Sequence, residues 1–310
     1  MVFFHALEGV LVLVILGATG YGLAALHWVG KESRSTLPRI ITNVALPPYL
    51  MYAIMNNFQR DRLWEMLQGI LPPLLSVSLA FLLALGLAKI FRVQRKRCGL
   101  FCASIANSNT IFIGIPVNIA LFGEGAMPHV LLYYIASTIF FWTIGQYAIL
   151  SDAEKMAGVQ RMQLSKIFSP PLLGFLLGLA LTALGCELPH VLKMVAQNLG
   201  NLTTPLAMIF IGISLYDMGV TKLTLDKDIF LLIAGRMLMA PLLMFELCRL
   251  FHLPTDMSNV FVMQASLPVM MQAAILSAYY HADGPFGSRG VAYTTLLSIV
   301  TIPVLMTLLH

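Results

Sequence analysis

Ten runs of apolar residues follow one another along this chain, with short polar connections between them. A helix of about 20 apolar residues spans the hydrocarbon core of a bilayer, so each run is long enough to cross a membrane. Charged residues make up only 11% of the 310 residues, and 58% are hydrophobic, whereas a soluble domain has about 25% charged residues. The sequence therefore predicts an all-α integral membrane protein with ten transmembrane helices.

The apolar runs give approximate bounds for these spans. In chain order, the predicted spans are 4–27, 36–56, 66–91, 98–122, 127–149, 167–185, 188–216, 228–250, 258–281 and 290–309. Spans four, seven and nine are the least uniform, because each has polar residues and a proline inside it.

Lysine and arginine are distributed unevenly among the connections. The odd-numbered connections and the adjoining helix ends carry fourteen of these residues, the even-numbered ones carry four, and Arg236 lies inside span eight. Because basic connections stay in the cytoplasm, this bias predicts that both chain termini lie outside. It also explains the net charge of +5, which therefore does not indicate nucleic-acid binding.

The longest polar connection, residues 151–166, divides the spans into five and five. It separates a first half, residues 1–150, from a second half, residues 167–310. Two halves with an odd number of spans each would lie in the membrane in opposite orientations. This inverted repeat is typical of secondary transporters.

One ungapped offset of 158 residues relates matching positions in the two halves. The matched pairs are Gly20 and Gly178, Asn43 and Asn201, Pro47 and Pro205, and Ser108 and Ser266. These pairs link spans one and six, two and seven, and four and nine, which supports an inverted five-plus-five repeat.

Span four contains the polar segment ANSNTIFIGIP at residues 106–116. An interrupted helix is tolerated in a membrane only where protein or a water-filled cavity covers the break, and in transporters such breaks mark the substrate site. The side chains of Ser108, Asn109 and Thr110 can cap the start of a second half-helix. The sequence thus predicts that span four is broken.

Span nine has a matching interruption, with Ser266 two residues before Pro268. Proline suits the first turn of a helix, so a second half-helix is predicted to begin here. The two half-helices would direct their positive N-termini at the membrane centre, which favours an anion. Neither span has a carboxylate at its middle, where a cation or proton antiporter would need one. An anionic or neutral substrate follows, although coupling to an ion through backbone carbonyls stays open.

Less specific explanations apply to the same residues. Buried Ser, Thr and Asn also join neighbouring helices, a proline can simply kink a span, and Asn43 and Asn201 fit packing and site lining equally well. Arg236 could attract an anion, extend to the cytoplasmic surface, or pair with Asp217 or Asp228. Cys98 and Cys102 share a helix face, but no His or Asp completes a metal site there, and no metal or cofactor is predicted.

Several motifs resemble those of the auxin efflux carrier family. They are SNTIFIGIPV at 108–117 with LFGEGA at 121–126, ASLPV at 265–269, RMLMAP at 236–241, and the N-x3-P pairs at 43–47 and 201–205. The resemblance implies ten spans in two inverted repeats, a panel that stays fixed while a core moves like an elevator, and crossover helices four and nine. It also implies that Asn109 faces the carboxylate of an organic anion beside Pro268, and that the protein is a possible homodimer.

This chain departs from the plant members at Ser108, where they have a proline, and in its short 151–166 connection. The resemblance therefore indicates a bacterial permease of the inner membrane, with auxin not necessarily its substrate. The candidate substrate-binding residues are Asn43, Asn107, Ser108, Asn109, Thr110, Asn201, Arg236, Ser266, Pro268 and Gln272, with Asn118 and Gln264 as further lining residues. The candidate structural residues of the interrupted helices are Pro47, Gly114, Pro116 and Pro205.

The leading functional hypothesis is a secondary transporter of small organic anions such as carboxylates. A sodium- or proton-coupled symporter on the same fold and a membrane sensor without transport are the alternatives. The chain has no HExxH or GxSxG motif and no facing carboxylate pair, so an intramembrane enzyme is not expected.

Overall fold

A computed structural model describes the chain as a bundle of helices. The described residues are 2–30, 33–57, 68–154, 170–219, 224–280 and 282–309. Within these ranges the only β-type pairing is an isolated antiparallel bridge between Ser108 and Val269. The predicted all-α class is therefore confirmed.

The helices up to residue 154 follow the order of the predicted spans. They are α1 (Val2–Ala25), α2 (Ser33–Ile40), α3 (Leu46–Asn57), α4 (Leu71–Ile90), α5 (Cys98–Ala106), α6 (Gly114–Phe122), α7 (Met127–Phe140) and α8 (Gln146–Glu154). The π-helical turns Ile41–Ala45 and Phe141–Gly145 join α2 to α3 and α7 to α8. Short 3-10 turns at Arg95–Arg97 and Glu124–Ala126 precede α5 and α7.

The helices after residue 169 continue this order. They are α9 (Pro170–Leu184), α10 (His190–Asn201), α11 (Thr203–Met218), α12 (Lys227–Ala234), α13 (Ala240–Leu250), α14 (Thr255–Ser266), α15 (Met271–Tyr279) and α16 (Gly284–Leu309). A π-helical turn, Gly235–Met239, joins α12 to α13. Of the predicted linker 151–166, the first residues belong to α8, and the rest lie outside the described residues.

Within the described ranges, five continuous helical segments are long and apolar enough to cross a membrane. They are Leu71–Ile90, Glu124–Asp152, His190–Asp217, Lys227–Leu250 and Gly284–Leu309. The protein is therefore a multi-pass membrane protein, while the number of ten spans and the inverted repeat stay predictions.

The two N-x3-P motifs lie where helices are interrupted. Pro47 is the second residue of α3, after a π-helical turn, and Pro205 is the third residue of α11, after the turn at Leu202. A proline has no N–H to donate to the carbonyl four residues earlier. The carbonyls of Asn43 and Asn201 thus lose their helical partner, and each helix is distorted at that point.

The helices pack in two groups. The panel consists of α1–α3 and α9–α11, in which α1 packs along α11 and α3 packs against α9 and α10. The core group consists of α4–α8 and α12–α16, in which α4 packs against α5, α7 and α13. The groups meet where α1 contacts α6 and α16 and where α3 contacts α7. Each group therefore contains helices from both halves of the sequence.

A close approach between α1 and α11 depends on Gly20. A Cβ atom at position 20 would collide with the backbone of Ile209. At Gly22, two residues further along α1, a Cβ atom would have no neighbour within 4 Å. Small residues let helix backbones approach closely in membranes, where van der Waals packing drives association. Gly20 therefore sets the distance between these two panel helices.

Ion pairs around Arg97 hold one end of the core group together. Its guanidinium lies 3.1 Å from Asp283, 3.2 Å from Asp226 and 3.6 Å from Asp228, and 4.8 Å from the centre of the Phe286 ring. Arg97 directly precedes α5, Asp226 directly precedes α12, and Asp283 directly precedes α16. The network therefore joins the starts of three helices. We call this end of the bundle the basic end; Lys89, Lys96, Lys227 and Arg289 lie there too.

Asp226 is also the N-cap of α12, because its side chain accepts a hydrogen bond of 2.9 Å from the N–H of Ile229. Partial burial raises the pKa of this carboxyl. The Ile229 N–H and the guanidinium groups of Arg97 and Arg289 together lower the pKa by more than burial raises it, so that it lies below its ordinary value. Ionised Asp226 thus stabilises the fold fully above pH ~4, and this contribution is lost as the pH falls through the lower folded-state pKa.

We expect Gly20→Ala to destabilise the protein by ~1–3 kcal/mol, because the new methyl group forces α1 away from α11. Gly22→Ala is the matched control and should keep or raise stability, since alanine is the better helix former. Thermal unfolding of the purified protein in detergent measures both. Equal melting temperatures for the two variants would contradict the close approach at position 20.

We expect Arg97→Gln to cost ~3–5 kcal/mol, because it leaves the buried carboxylate of Asp228 without its cation. Arg249→Gln removes an exposed pair with Glu246, in which both side chains are more than 60% exposed, and should cost at most ~1 kcal/mol. The same thermal measurement compares the two arginines. A loss at Arg97 no larger than that at Arg249 would show that the network adds little.

Candidate functional site

Two interrupted helices meet inside the core group. One interruption, residues 107–113, separates α5 from α6, and the other, residues 267–270, separates α14 from α15. Both segments are almost entirely buried. Their main-chain groups must therefore find partners within the protein.

The two interruptions satisfy each other's main chains by running antiparallel. The N–H of Asn109 donates to the carbonyl of Pro268 at 2.9 Å, and the N–H of Met270 donates to the carbonyl of Asn107 at 3.1 Å. Ser108 and Val269 face each other in the bridge between them. The interrupted helices thus cross at residues 107–109 and 268–270.

Asn109 prepares the start of α6. Its side-chain Oδ1 accepts the N–H of Phe112 at 3.2 Å, and its carbonyl accepts the N–H of Gly114 at 3.0 Å. Gly114 lets α14 come close, because a Cβ there would collide with the side chains of Gln264 and Leu267. Of the three predicted capping side chains, Asn109 is the one that makes this contact.

A cavity of about 90 Å³ lies beside the crossing, at the boundary between the panel and the core group. It is lined by Thr42, Asn109, Thr110, Ile111, Phe112, Tyr134, Thr138, Trp142, Pro171, Met270 and Gln272. One water molecule needs only ~10–15 Å³ of cavity volume, so the cavity is large enough for several waters or a small solute. Pro171 lies in the first turn of α9, which begins soon after the 151–166 connection.

Three buried polar atoms of this lining have no hydrogen-bond partner among the described residues. They are the amide Nδ2 of Asn109 and the hydroxyl oxygens of Thr110 and Thr138. Burying such a group without a partner costs ~1–3 kcal/mol. Waters or a bound solute are the partners that the cavity can supply.

The electrostatic character of the cavity comes from the main chain. None of its lining residues is acidic or basic. It adjoins the N-terminal ends of α6 and α15, which begin at Gly114 and Met271. Because a helix N-terminus carries a partial positive charge, the cavity favours negative groups.

Asn107 differs from Asn109 because its side chain is used within the protein. Its Nδ2 donates to the carbonyl of Ala103 at 3.0 Å, and its Oδ1 accepts the hydroxyl of Ser137 at 3.3 Å. Asn107 is fully buried and does not line the cavity. The structure thus gives it a supporting role in place of the predicted contact with substrate.

Arg236 lies behind the crossing and does not line the cavity. Its guanidinium is fully buried and donates to the carbonyl of Ile105 at 2.6 Å and to the carbonyl of Ala265. The proposed extension to the surface is therefore wrong. Asp228, one of its two proposed partners, pairs with Arg97 instead.

The remaining predicted residues lie at different places. Thr110 and Gln272 line the cavity together with Asn109. Ser266 does not line it, and its hydroxyl donates to the carbonyl of Met263 within the same helix at 2.7 Å. Asn43 and Asn201 are exposed, outside the cavity lining, because they mark helix distortions in the panel. Ser108, Pro268 and Pro116 are buried at or next to the crossing, outside the cavity lining.

Sequence reasoning missed the contribution of α7. Tyr134, Thr138 and Trp142 follow each other at intervals of four residues and form one wall of the cavity. Residues spaced by four lie on one helix face. That spacing could have been recognised in the sequence, whereas nothing in the sequence around Thr42 in span two indicated a cavity.

The chain is similar to known proteins over almost its whole length. A family model described as membrane transport protein matches residues 5–306. An uncharacterized transporter of Methanothermobacter thermautotrophicus is 28% identical over 311 residues, which cover 98% of each chain. Another, from Methanocaldococcus jannaschii, is 24% identical over 305 residues, or 96% of each chain.

We expect Asn107→Ala to lower stability by ~1–3 kcal/mol, because the Ser137 hydroxyl loses its buried acceptor. Asn201→Ala removes an exposed asparagine and should stay within ~0.5 kcal/mol of the native protein. Thermal unfolding in detergent is the measurement. If both variants melt at the native temperature, Asn107 does not support the crossing.

Proposed function

The chain belongs to the auxin efflux carrier family of membrane transport proteins, and on this premise we propose that it carries small organic anions such as carboxylates. One observation carries the proposal. The partnerless amide Nδ2 of Asn109 lies in an uncharged cavity beside two helix N-termini. Such a combination binds an anion through hydrogen-bond donors and dipoles, without a fixed countercharge.

A carboxylate would bind at the polar side of this cavity. It would accept hydrogen bonds from Asn109 Nδ2 and from the hydroxyls of Thr110 and Thr138. Hydrogen bonds to a charged group contribute ~1.5–3 kcal/mol each, more than those between neutral groups. The organic part of the solute would pack against Phe112 and Trp142. The volume of about 90 Å³ suits a small carboxylate.

The core group carries the solute in this mechanism. Nine of the eleven lining residues belong to the core group, and the panel contributes only Thr42 and Pro171. Movement of the core group along the panel would thus take the whole donor set with it. This supports an elevator-like form of alternating access, in which a site at the repeat interface is exposed to each side in turn.

The structure corresponds, in this proposal, to the form that faces the cytoplasm. Pro171 of the cavity lining lies in the first turn of α9, soon after the basic 151–166 connection, which the positive-inside rule assigns to the cytoplasm. At the opposite end, the hydroxyl of Tyr49 on α3 donates to Glu124 before α7 at 3.3 Å and joins the panel to the core group. Transport outward would require this contact to break.

We also propose the bacterial inner membrane as the location, with both termini on the outer side. The charge bias of the connections supports this orientation. The homodimer implied by the resemblance stays a prediction. A sensor without transport would not need a core group that carries nearly all of the lining.

We expect Asn109→Asp to weaken carboxylate binding by tenfold or more, since a loss of ~1.5–3 kcal/mol corresponds to at least that factor. The substitution keeps Oδ1 as acceptor for the Phe112 N–H but replaces the donor with a repelling charge. Carboxylate counterflow in proteoliposomes and thermal shifts with a carboxylate panel measure the effect.

Asn56→Asp is the control, because it adds the same charge at an exposed panel position near the end of α3, outside the cavity lining, and should leave binding unchanged. Asn109→Ala, which removes the donor without adding charge, should also lose transport. Native transport of every carboxylate by both Asn109 variants would overturn the site assignment.

A further inference from the structure

Arg236 places a buried guanidinium on main-chain carbonyls at the ends of two half-helices in the crossing. We propose that its fixed charge replaces a coupling cation, so that this chain transports its anion without sodium. The inference extends the proposed function, since it concerns the ion coupling of the same site. Its first test, however, needs no substrate.

The contacts of the guanidinium carry the first step. Ile105 is the penultimate residue of α5, and Ala265 is the penultimate residue of α14. Arg236 donates to both of their carbonyls from a position with 0% exposure. The last carbonyls of a helix have no partner within it, so one side chain satisfies the ends of both half-helices.

The charges at this place balance without a carboxylate. A helix C-terminus carries roughly half a negative charge, so two converging ends offer about one, which matches a single guanidinium. Among the described residues, no ion pair involves Arg236. Tyr133, also buried, is its neutral neighbour. The balance is therefore between a side chain and helix dipoles.

A free cation has no favourable place left at these carbonyls. It would compete with a covalently tethered donor and would lie close to a positive charge in a medium of low dielectric constant, where like charges repel strongly. Sodium coupling through these carbonyls, which the sequence left open, is thereby disfavoured.

The same balance favours the anion on the other side of the crossing. Because Arg236 neutralises the negative ends of α5 and α14, the positive ends of α6 and α15 stay unopposed beside the cavity. Without the guanidinium, four helix ends of opposite sign would nearly cancel at the crossing. Arg236 thus acts as a positioning and specificity-determining residue, although it does not touch the cavity.

Arg97 offers a matched control within the same chain. It is also a buried arginine, but three aspartates surround it. Its removal should destabilise the protein without creating a site for a cation at the crossing. The comparison therefore separates loss of a buried charge from loss of this particular charge.

The experiment compares the native protein, Arg236→Ala and Arg97→Gln in detergent. Melting temperatures are measured in choline chloride, in sodium chloride and with low-millimolar guanidinium. We expect the native protein to melt equally in sodium and choline. Arg236→Ala should melt lower and be partly restored, in a saturable way, by guanidinium or sodium, since a ligand stabilises the state that binds it. Arg97→Gln should melt lower without such restoration.

Saturable stabilisation of the native protein by sodium over choline would overturn the proposal. An Arg236→Ala variant that melts at the native temperature and ignores all three cations would do the same. If Arg236→Ala does not fold, the native protein still decides the question, and Arg236→Lys, which keeps the charge, should fold and be insensitive to sodium.

Counterflow in proteoliposomes then tests the link to transport. The native protein should exchange carboxylates at the same rate with sodium or choline, and Arg236→Ala should bind them about tenfold more weakly, as expected for losing a favourable charge near helix ends. Carboxylate exchange that requires sodium would contradict the inference. Failure of the native protein to bind any carboxylate would instead contradict the proposed function and leave the thermal result standing.

Discussion

An interrupted helix in a membrane leaves main-chain groups that lipid cannot satisfy, and the crossing is built around this constraint. Antiparallel pairing between residues 107–109 and 268–270 satisfies the middle of both interruptions. Asn109 accepts the N–H groups of Phe112 and Gly114 at the start of α6, and Arg236 donates to carbonyls at the ends of α5 and α14. Hydrogen bonds to main-chain groups thus stabilise much of the crossing, which explains a polar cluster inside an apolar span.

The polar side chains at the crossing differ in whether their hydrogen-bonding groups have partners within the protein. Asn107 uses both ends of its amide within the protein, whereas Asn109 uses only its oxygen and keeps its nitrogen for the cavity. Arg236, on the far side, sets the charge of the helix ends. The structure therefore gives these three residues different hydrogen-bonding roles in a chain that belongs to a family of membrane transport proteins.

The sequence predicted those features that follow from local chemistry. Apolar runs indicated the helices, and the polar cluster with its partner at Ser266–Pro268 indicated both interruptions. It could not assign Asn43 and Asn201, because an N-x3-P pattern distorts a helix whether or not the asparagine faces a cavity. It could not decide the role of Arg236 either, since that role depends on two carbonyls 131 and 29 residues away in the chain. Such long-range contacts have no local pattern.

The packing of α1 along α11 also determines when the panel can form during synthesis. Residues 26–202, more than half of the chain, separate these two helices. At ~5–20 residues per second, the ribosome takes roughly 10–40 seconds to make that stretch. During this time α11 does not yet exist, so the glycine-containing face of α1 contacts lipid, the insertion machinery or another helix. Assembly of the panel is therefore completed only late in biogenesis, after much of the core group has already been made.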